Sequence, residues 1–216
     1  GIMNSRLEYY RKNCAKIPFI AGDVIPEPIL SIEEYHTKLL SRAYRDISVY
    51  DPEGLLQHEF LNSRGAIARF DRNAIEIRVL DLQECPLADL AVASLISKVL
   101  KAVVEERWCP FQQQLYPQGK LVAIFRSIIP AAEETIIDDE AYLRCFGLQK
   151  KSCTAKELWS YLLAQVYVEK EFIEPLQLIL TKGTLARRIL KAVEKEELRK
   201  VYAKLCDCLA EGKMFV

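Results

Sequence analysis

The stretch AIARFDRNAIEIRVLD, Ala66 to Asp81, places apolar residues at alternate positions on both sides of Asp71–Asn73 and reads as a β-hairpin. Alternation puts Ile75, Ile77 and Val79 on one face, expected to pack on helices. Glu76, Arg78 and Leu80 share the other face. Glu76 and Arg78 then stand roughly 7 Å apart along the strand, at a rise of ~3.3 Å per residue. The incoming strand offers Ala66 and Ala68, small enough to leave room beside that charged face, with the register open by one residue. Arg64, Arg69 and Arg72 make the neighbourhood basic. Two readings follow from this pattern. One is a solvated sheet face with a local ion pair, which stabilises little. The other is a carboxylate for a hard divalent cation beside a guanidinium for a phosphoryl oxygen, the pairing that phosphoryl transfer requires.

The whole chain is compatible with either. Of 216 residues, 50% are hydrophobic, enough for a substantial core. Thirty basic and thirty acidic side chains cancel, so no electrostatic footprint points to nucleic acid or to a membrane surface. An anionic ligand must be held by local basic groups. The seven cysteines are scattered, odd in number and without a CxxC pair, which favours a reduced, cytoplasmic compartment. No secretory leader is read at the start, and no apolar run approaches the ~20 residues that span a bilayer.

Along the chain, SRLEYYRKN (5–13) reads as a helix and IPFIAGDVIPEPI (17–29) as a Pro- and Gly-punctuated connector. Ser31, with Glu34 three residues on, starts a helix carrying Tyr35, Leu39, Leu40 and Tyr44. DPEG (51–54) is a turn. Pro86 and Asp89 open a long helix whose apolar positions nearly encircle it, so burial on all sides is expected. A helix near 119–129 is expected to stop at Pro130. Another runs from Ala155 to Glu171 behind the cap Thr154, and a last one from about Leu185 to Ala210, broken near Glu194–Glu197. The fold class is therefore α+β: one domain with a sheet-containing part at 1–85 and a helical part at 86–216. A lone two-stranded hairpin is marginal in water, so these strands call for partners.

IEIRVLD (75–81) resembles the Glu-x-Arg-x-x-Asp strand of the glutamate–cysteine ligase superfamily, particularly its bacterial carboxylate–amine ligase branch. SRLEYYRKN with IPFIAG is similar to the Ser-x-Arg segment and Pro/Gly loop that precede that strand. DLAVASLISKVLKAVV looks like the long helix after it, and LTKGTLARRILKAV with LRKVYAKLCDCLAEGKMF like the C-terminal helix and tail. The resemblance implies a glutamine-synthetase-like sheet with sites for ATP and Mg²⁺, working in glutathione biosynthesis. ATP would phosphorylate the γ-carboxylate of glutamate, and an amine, such as that of cysteine, would attack the acyl phosphate. By position, Glu76 would be a magnesium ligand and Arg78 a catalytic contact for phosphate or acyl phosphate. Arg6 and Arg64 would hold substrate carboxylate or phosphate, and Asp81 would hold the strand end. Small-molecule substrates are thus the expected partners, with a homo-oligomer open as an option.

Two departures qualify the resemblance. Asn73-Ala74-Ile75 stands where many relatives carry Gly-Thr, and the early strands with further metal-binding glutamates have no counterpart. One Glu cannot organise two or three Mg²⁺ ions. The chain is therefore expected to be the C-terminal portion of a larger ligase, inactive or weakly active alone. The alternative is a non-catalytic helical module kept for assembly or regulation.

Other residues read as structural. His36 and His58 lack metal spacing, although His58-Glu59 could form an acid–base pair. Cys85 beside Glu84 lacks a basic partner and reads as a buried thiol. ARRILKAVEKEELRK balances acids against bases at helical spacing and reads as a solvated helix face. Lys182-Gly183-Thr184 lacks the glycine-rich loop of a phosphate-binding turn.

Overall fold

The computed structural model describes residues 2–216, the Glu59 side chain excepted, so the pairing considered for His58-Glu59 lies outside the described residues. Helices dominate, with one antiparallel hairpin and one very short second strand pair, an α+β architecture. The chain divides into two compact units. One comprises residues 5–80 and 116–129, the other residues 2–4, 81–115 and 130–216. Tyr116–Ile129 belongs to the sheet-bearing unit in this division.

In the sheet-bearing unit, Ser5–Asn13 is helical as its sequence predicts. The Ser31 hydroxyl accepts the Glu34 N–H at 3.1 Å, capping the next helix. The Glu34 carboxylate reaches back to the Leu30 N–H, one residue earlier than in a standard capping box. A π-helical stretch, Tyr35–Leu40, follows and passes into Ser41–Ile47. Such bulges cluster at functional sites. Ala43, Ile47 and Leu61 form the local core, with Ile17, Phe19, Ile20 and Tyr44 packed around it.

The hairpin consists of β1 (Ala66–Arg69) and β2 (Ala74–Ile77), joined through Phe70–Arg72 with Asn73 at φ 48°. Asn is among the few residues that take this left-handed conformation at low cost. The register pairs Ala66 with Ile77, Ile67 with Glu76, Ala68 with Ile75 and Arg69 with Ala74. Directly opposed residues share a face, so Ile67 and Arg69 accompany Glu76, and Ala66 and Ala68 lie on the other side. That corrects the expectation that the two alanines flank the charged face. It also corrects the apolar face at Ile75, which is 73% exposed. That face fronts an open groove lined by Ile29, Leu30, Tyr35 and Phe70.

In the second unit, the helix Pro86–Val104 buries Ala88, Ala91, Leu95, Val99 and Ala102, a single stripe at helical spacing. It packs along Lys170–Lys182. Leu90, Leu100 and Val104 remain exposed, so burial on all sides does not occur: the periodicity selects one face, and the extra leucines and valine lie outside it. The helix expected over Ala155–Glu171 stops at Gln165, where Val166 turns extended, and a separate helix covers Lys170–Lys182. Thr154 caps the first of these with a full capping box to Glu157. The predicted break in the last helix separates Leu185–Val193 from Leu198–Glu211, and Gly212 closes it at φ 67°. Elsewhere, the helix Gln118–Ala131 retains Pro130 in its last turn. A second antiparallel pair, β3 (Ile136–Ile137) with β4 (Cys153–Thr154), was not predicted, because two-residue strands carry no readable alternation.

The interior of this unit also holds a buried ion pair. Arg188 Nη1 donates to Glu84 Oε1 at 2.5 Å, and both side chains are almost fully enclosed. Arg188 also donates to the carbonyls of Gly183 and Phe215, and Glu84 accepts the Phe215 N–H at 3.1 Å. The C-terminal residues are thereby fastened to the start of the long helix. Cys85 beside them is fully buried, as its sequence context indicates.

Candidate functional site

The charged face of the hairpin is built around the Glu76 carboxylate. Arg69 Nη1 donates to its Oε2 at 2.7 Å, and Arg78 Nε donates to its Oε1 at 2.7 Å. The hydrogen bond from Arg69, and next that from Arg78, hold the Glu76 carboxyl below the usual carboxylate range. It is therefore ionised at neutral pH. Arg69 reaches Glu76 across the hairpin because the register places both on one face. Arg69 also meets Asp71 at 3.3 Å, and this contact holds the Asp71 carboxyl low as well.

Arg78 is fixed from a second direction. Its Nη1 donates to the Asn62 carbonyl at 2.6 Å, and its N–H donates to the Gly65 carbonyl at 2.8 Å. Gly65 is required by space. A Cβ there would lie 2.8 Å from Val79 Cγ1 and 3.2 Å from the Val24 carbonyl oxygen. Asn62 is itself buried. Its amide donates to the Tyr35 hydroxyl at 2.6 Å, and its Oδ1 accepts the Arg64 N–H at 3.2 Å.

The structure brings Glu76 and Arg78 together and adds Arg69, which the sequence reading noted only as part of a basic neighbourhood. The signal lay in the register: once Ile67 opposes Glu76, Arg69 is the diagonal neighbour. Arg6 lies at the far end of the strand, its Nη2 donating to the Val79 carbonyl at 2.6 Å. Arg64 sits apart from the cluster, 1% exposed. Its guanidinium forks onto Glu27, with Nη2 to Oε1 at 2.6 Å, and donates further to the Phe19 carbonyl and Asn62 Oδ1. Burial works against the charged Glu27 carboxylate, but the Arg64 hydrogen bonds outweigh it and hold that carboxyl low. Arg64 thus props the loop that orients Arg78. Asp81 contributes its backbone carbonyl to Gln83 Nε2 at 2.9 Å.

Both histidines, read as structural, line one cavity of about 220 Å³ with Tyr35, Leu40, Ala68, Arg69, Phe70 and Asp71. Among the described residues, no three His, Cys, Asp or Glu side chains gather to hold a metal ion. Glu76 offers one carboxylate, already bridged by two guanidiniums. A Mg²⁺ site does not fit these residues alone, since that ion wants octahedral oxygen ligation. All seven cysteines are free thiols, and no helix among the described residues is long and apolar enough to cross a membrane.

The family whose sequence profile matches the chain is described as glutamate–cysteine ligase family 2, over residues 3–204. An uncharacterized protein of Archaeoglobus fulgidus is 29% identical over 217 residues, an alignment covering 99% of this chain and 53% of that protein. The chain thus spans about half the length of the curated relative it matches. No solved structure matches it.

Proposed function

We propose that this chain, which belongs to glutamate–cysteine ligase family 2, carries part of the active site of an ATP-dependent carboxylate–amine ligase. The observation that carries the reading is the trio of Arg69, Glu76 and Arg78 on one sheet face. It presents an ionised carboxylate between two guanidiniums whose directions are fixed by backbone carbonyls and cross-strand register. The reaction proposed is transfer of the γ-phosphoryl group of ATP to the γ-carboxylate of glutamate, giving ADP and an acyl phosphate. Attack by the amine nitrogen of cysteine, or of another amine, then forms the amide and expels phosphate, and the nitrogen loses a proton.

In this scheme Arg78 stabilises charge on the transferred phosphoryl oxygens, a preorganised electrostatic role. Arg69 keeps Glu76 ionised and oriented. Glu76 would offer Mg²⁺, which would neutralise phosphate charge, one oxygen at most and only in exchange for an arginine contact, so the described residues do not make a magnesium site by themselves. Arg6, at the end of the same strand, contacts a substrate carboxylate or phosphate.

The test is ADP release by the complete protein given ATP, Mg²⁺, glutamate and a panel of amines. Release that requires both glutamate and an amine supports the reading, and Glu76→Gln should abolish it while circular dichroism stays unchanged. Glutamate-independent ADP release, or full turnover in that variant, would overturn it. A second reading, a non-catalytic assembly or regulatory module, is favoured by one observation: both oxygens of Glu76 are already taken by arginines of this chain. It requires that no amine in the panel elicits ADP.

A further inference from the structure

We infer that Cys109 and Cys145 form an oxidation site, at which a low-molecular-weight disulfide converts their two thiols into one intrachain bond. Neither residue belongs to the hairpin cluster, so the ligase reading does not bear on them. Cys109 is buried, and its Sγ donates to the Cys145 carbonyl at 3.3 Å. The two thiols also hydrogen-bond each other. Cys145 Sγ further meets the carbonyl oxygens of Ala141 at 3.4 Å and Gln113 at 3.5 Å. A thiol is a weak donor, so these contacts oppose a covalent bond little.

The residues beside the cysteines hold the two segments together. Trp108 precedes one cysteine and Phe146 follows the other, and their ring centroids lie 6.2 Å apart. Phe146 meets Tyr142 edge to face at 5.2 Å. Gly147, at φ 76°, lets the chain pass the indole, since a Cβ there would lie 3.0 Å from Trp108 Cδ1. On the first segment, the Gln114 amide donates to the carbonyls of Cys109 at 3.0 Å and Val103 at 2.8 Å. The cysteines are 36 positions apart in sequence. The loop between them includes Tyr116–Ile129, which belongs to the sheet-bearing unit. The bond would therefore join the segment that leaves the second unit to the segment that returns to it.

Cys145 is half-buried and Cys109 buried, so Cys145 meets the oxidant first. Its sulfur, having lost its proton to solvent, attacks one sulfur of the external disulfide. The other half leaves as a thiolate and takes up a proton. Cys109, deprotonated in turn, attacks the Cys145 sulfur and expels the second half. The reagent's S–S bond breaks and one forms in the protein. Two electrons pass from the cysteines to the reagent, which ends as two small thiols. Burial first, and then the Cys109 thiol and Asp139, push the Cys145 thiol up to about 11. Little thiolate exists at neutral pH, so the exchange is slow. The same sulfur is a poor leaving group, so the bond once made resists reduction. The pair is a latch rather than a rapid sensor.

The 216-residue chain, incubated with hydroxyethyl disulfide and mapped as peptides without reduction, should yield Cys109 joined to Cys145. Cys109→Ser should convert that product into a mixed disulfide held on Cys145, and Cys145→Ser should leave Cys109 unmodified. Cys109→Ala and Cys145→Ala repeat the test should a serine variant unfold. The cross-linked chain should melt about 4–16 °C higher, the gain typical of closing such a loop. Trp159→Phe leaves Trp108 as the sole tryptophan, and its emission should fall on oxidation, because a disulfide quenches a neighbouring indole. Adding Cys145→Ser should abolish that fall. A mixed disulfide that persists on Cys145 beside an intact Cys109 overturns the inference. So does a cross-link that forms only in urea, or one that lowers Tm.

Discussion

Arg69 Nη1 lies 2.7 Å from Glu76 Oε2 across the hairpin, so the carboxylate is gripped from the neighbouring strand as well as by Arg78 on its own. Replacing Arg69 with methionine keeps much of its apolar stem and removes the grip. The Glu76 carboxyl should then titrate at higher pH, as followed by its ¹³C carboxyl shift. Global stability should fall by no more than about 1 kcal/mol, since half-exposed ion pairs contribute little. An unmoved Glu76 titration would mean that Arg78 alone sets its state.

Gly65 offers a steric route to the same site. Gly65→Ala places a methyl group 2.8 Å from Val79 Cγ1 in a position whose backbone would otherwise accept it. The expected cost is about 1–3 kcal/mol in urea unfolding, typical of overpacking. The Arg78 backbone N–H resonance should shift too, because Gly65 supplies the carbonyl that accepts it.

Breaking the buried pair is a harsher change. Glu84→Gln or Arg188→Met should each cost about 3–5 kcal/mol, because each leaves a buried charge without its partner. The double variant Glu84→Leu, Arg188→Met should recover much of that loss in the same unfolding assay. A double variant as unstable as the worse single would assign the cost to lost packing at Phe215 instead.

Glu169 gives a pH-dependent prediction. The hydrogen bond from Lys98, with its own backbone N–H and Ser94 Oγ, lowers the Glu169 carboxyl to about 2. A depressed folded-state value stabilises the fold above the ordinary carboxylate range, and the contribution is lost as pH falls toward 2. Glu169→Gln should therefore lower Tm at pH 7, with the difference from the wild type closing between about pH 4.5 and 2. A difference constant with pH would sink this assignment.

Much of this fold was legible because its signals are local. Ser31, Thr154 and the break near Glu194–Glu197 are written in capping chemistry and charge, which act within a turn. The long helix was found but its surroundings were misread, since Leu90 and Leu100 look as buried as Leu95 until the packing partner is known. The site divides the same way. Glu76 and Arg78 lie on one strand and were visible together. Arg69 required the register, a property of two strands, and the lining of one cavity by both His36 and His58 required the path of the intervening loop. Arg64 shows the converse: an arginine beside a candidate site whose fork is turned inward onto Glu27, a residue too distant in sequence to suggest it.

That inward fork has a practical consequence for anyone mapping the protein by mutation. Glu27 anchors the Arg64 guanidinium, whose Nη1 donates to Asn62 Oδ1, and the Asn62 carbonyl aims Arg78. If Arg78 acts as proposed, an activity screen would score Glu27 beside it although Arg64 and Asn62 stand between the two. Only a readout of Arg78 itself would separate such a prop from a participant.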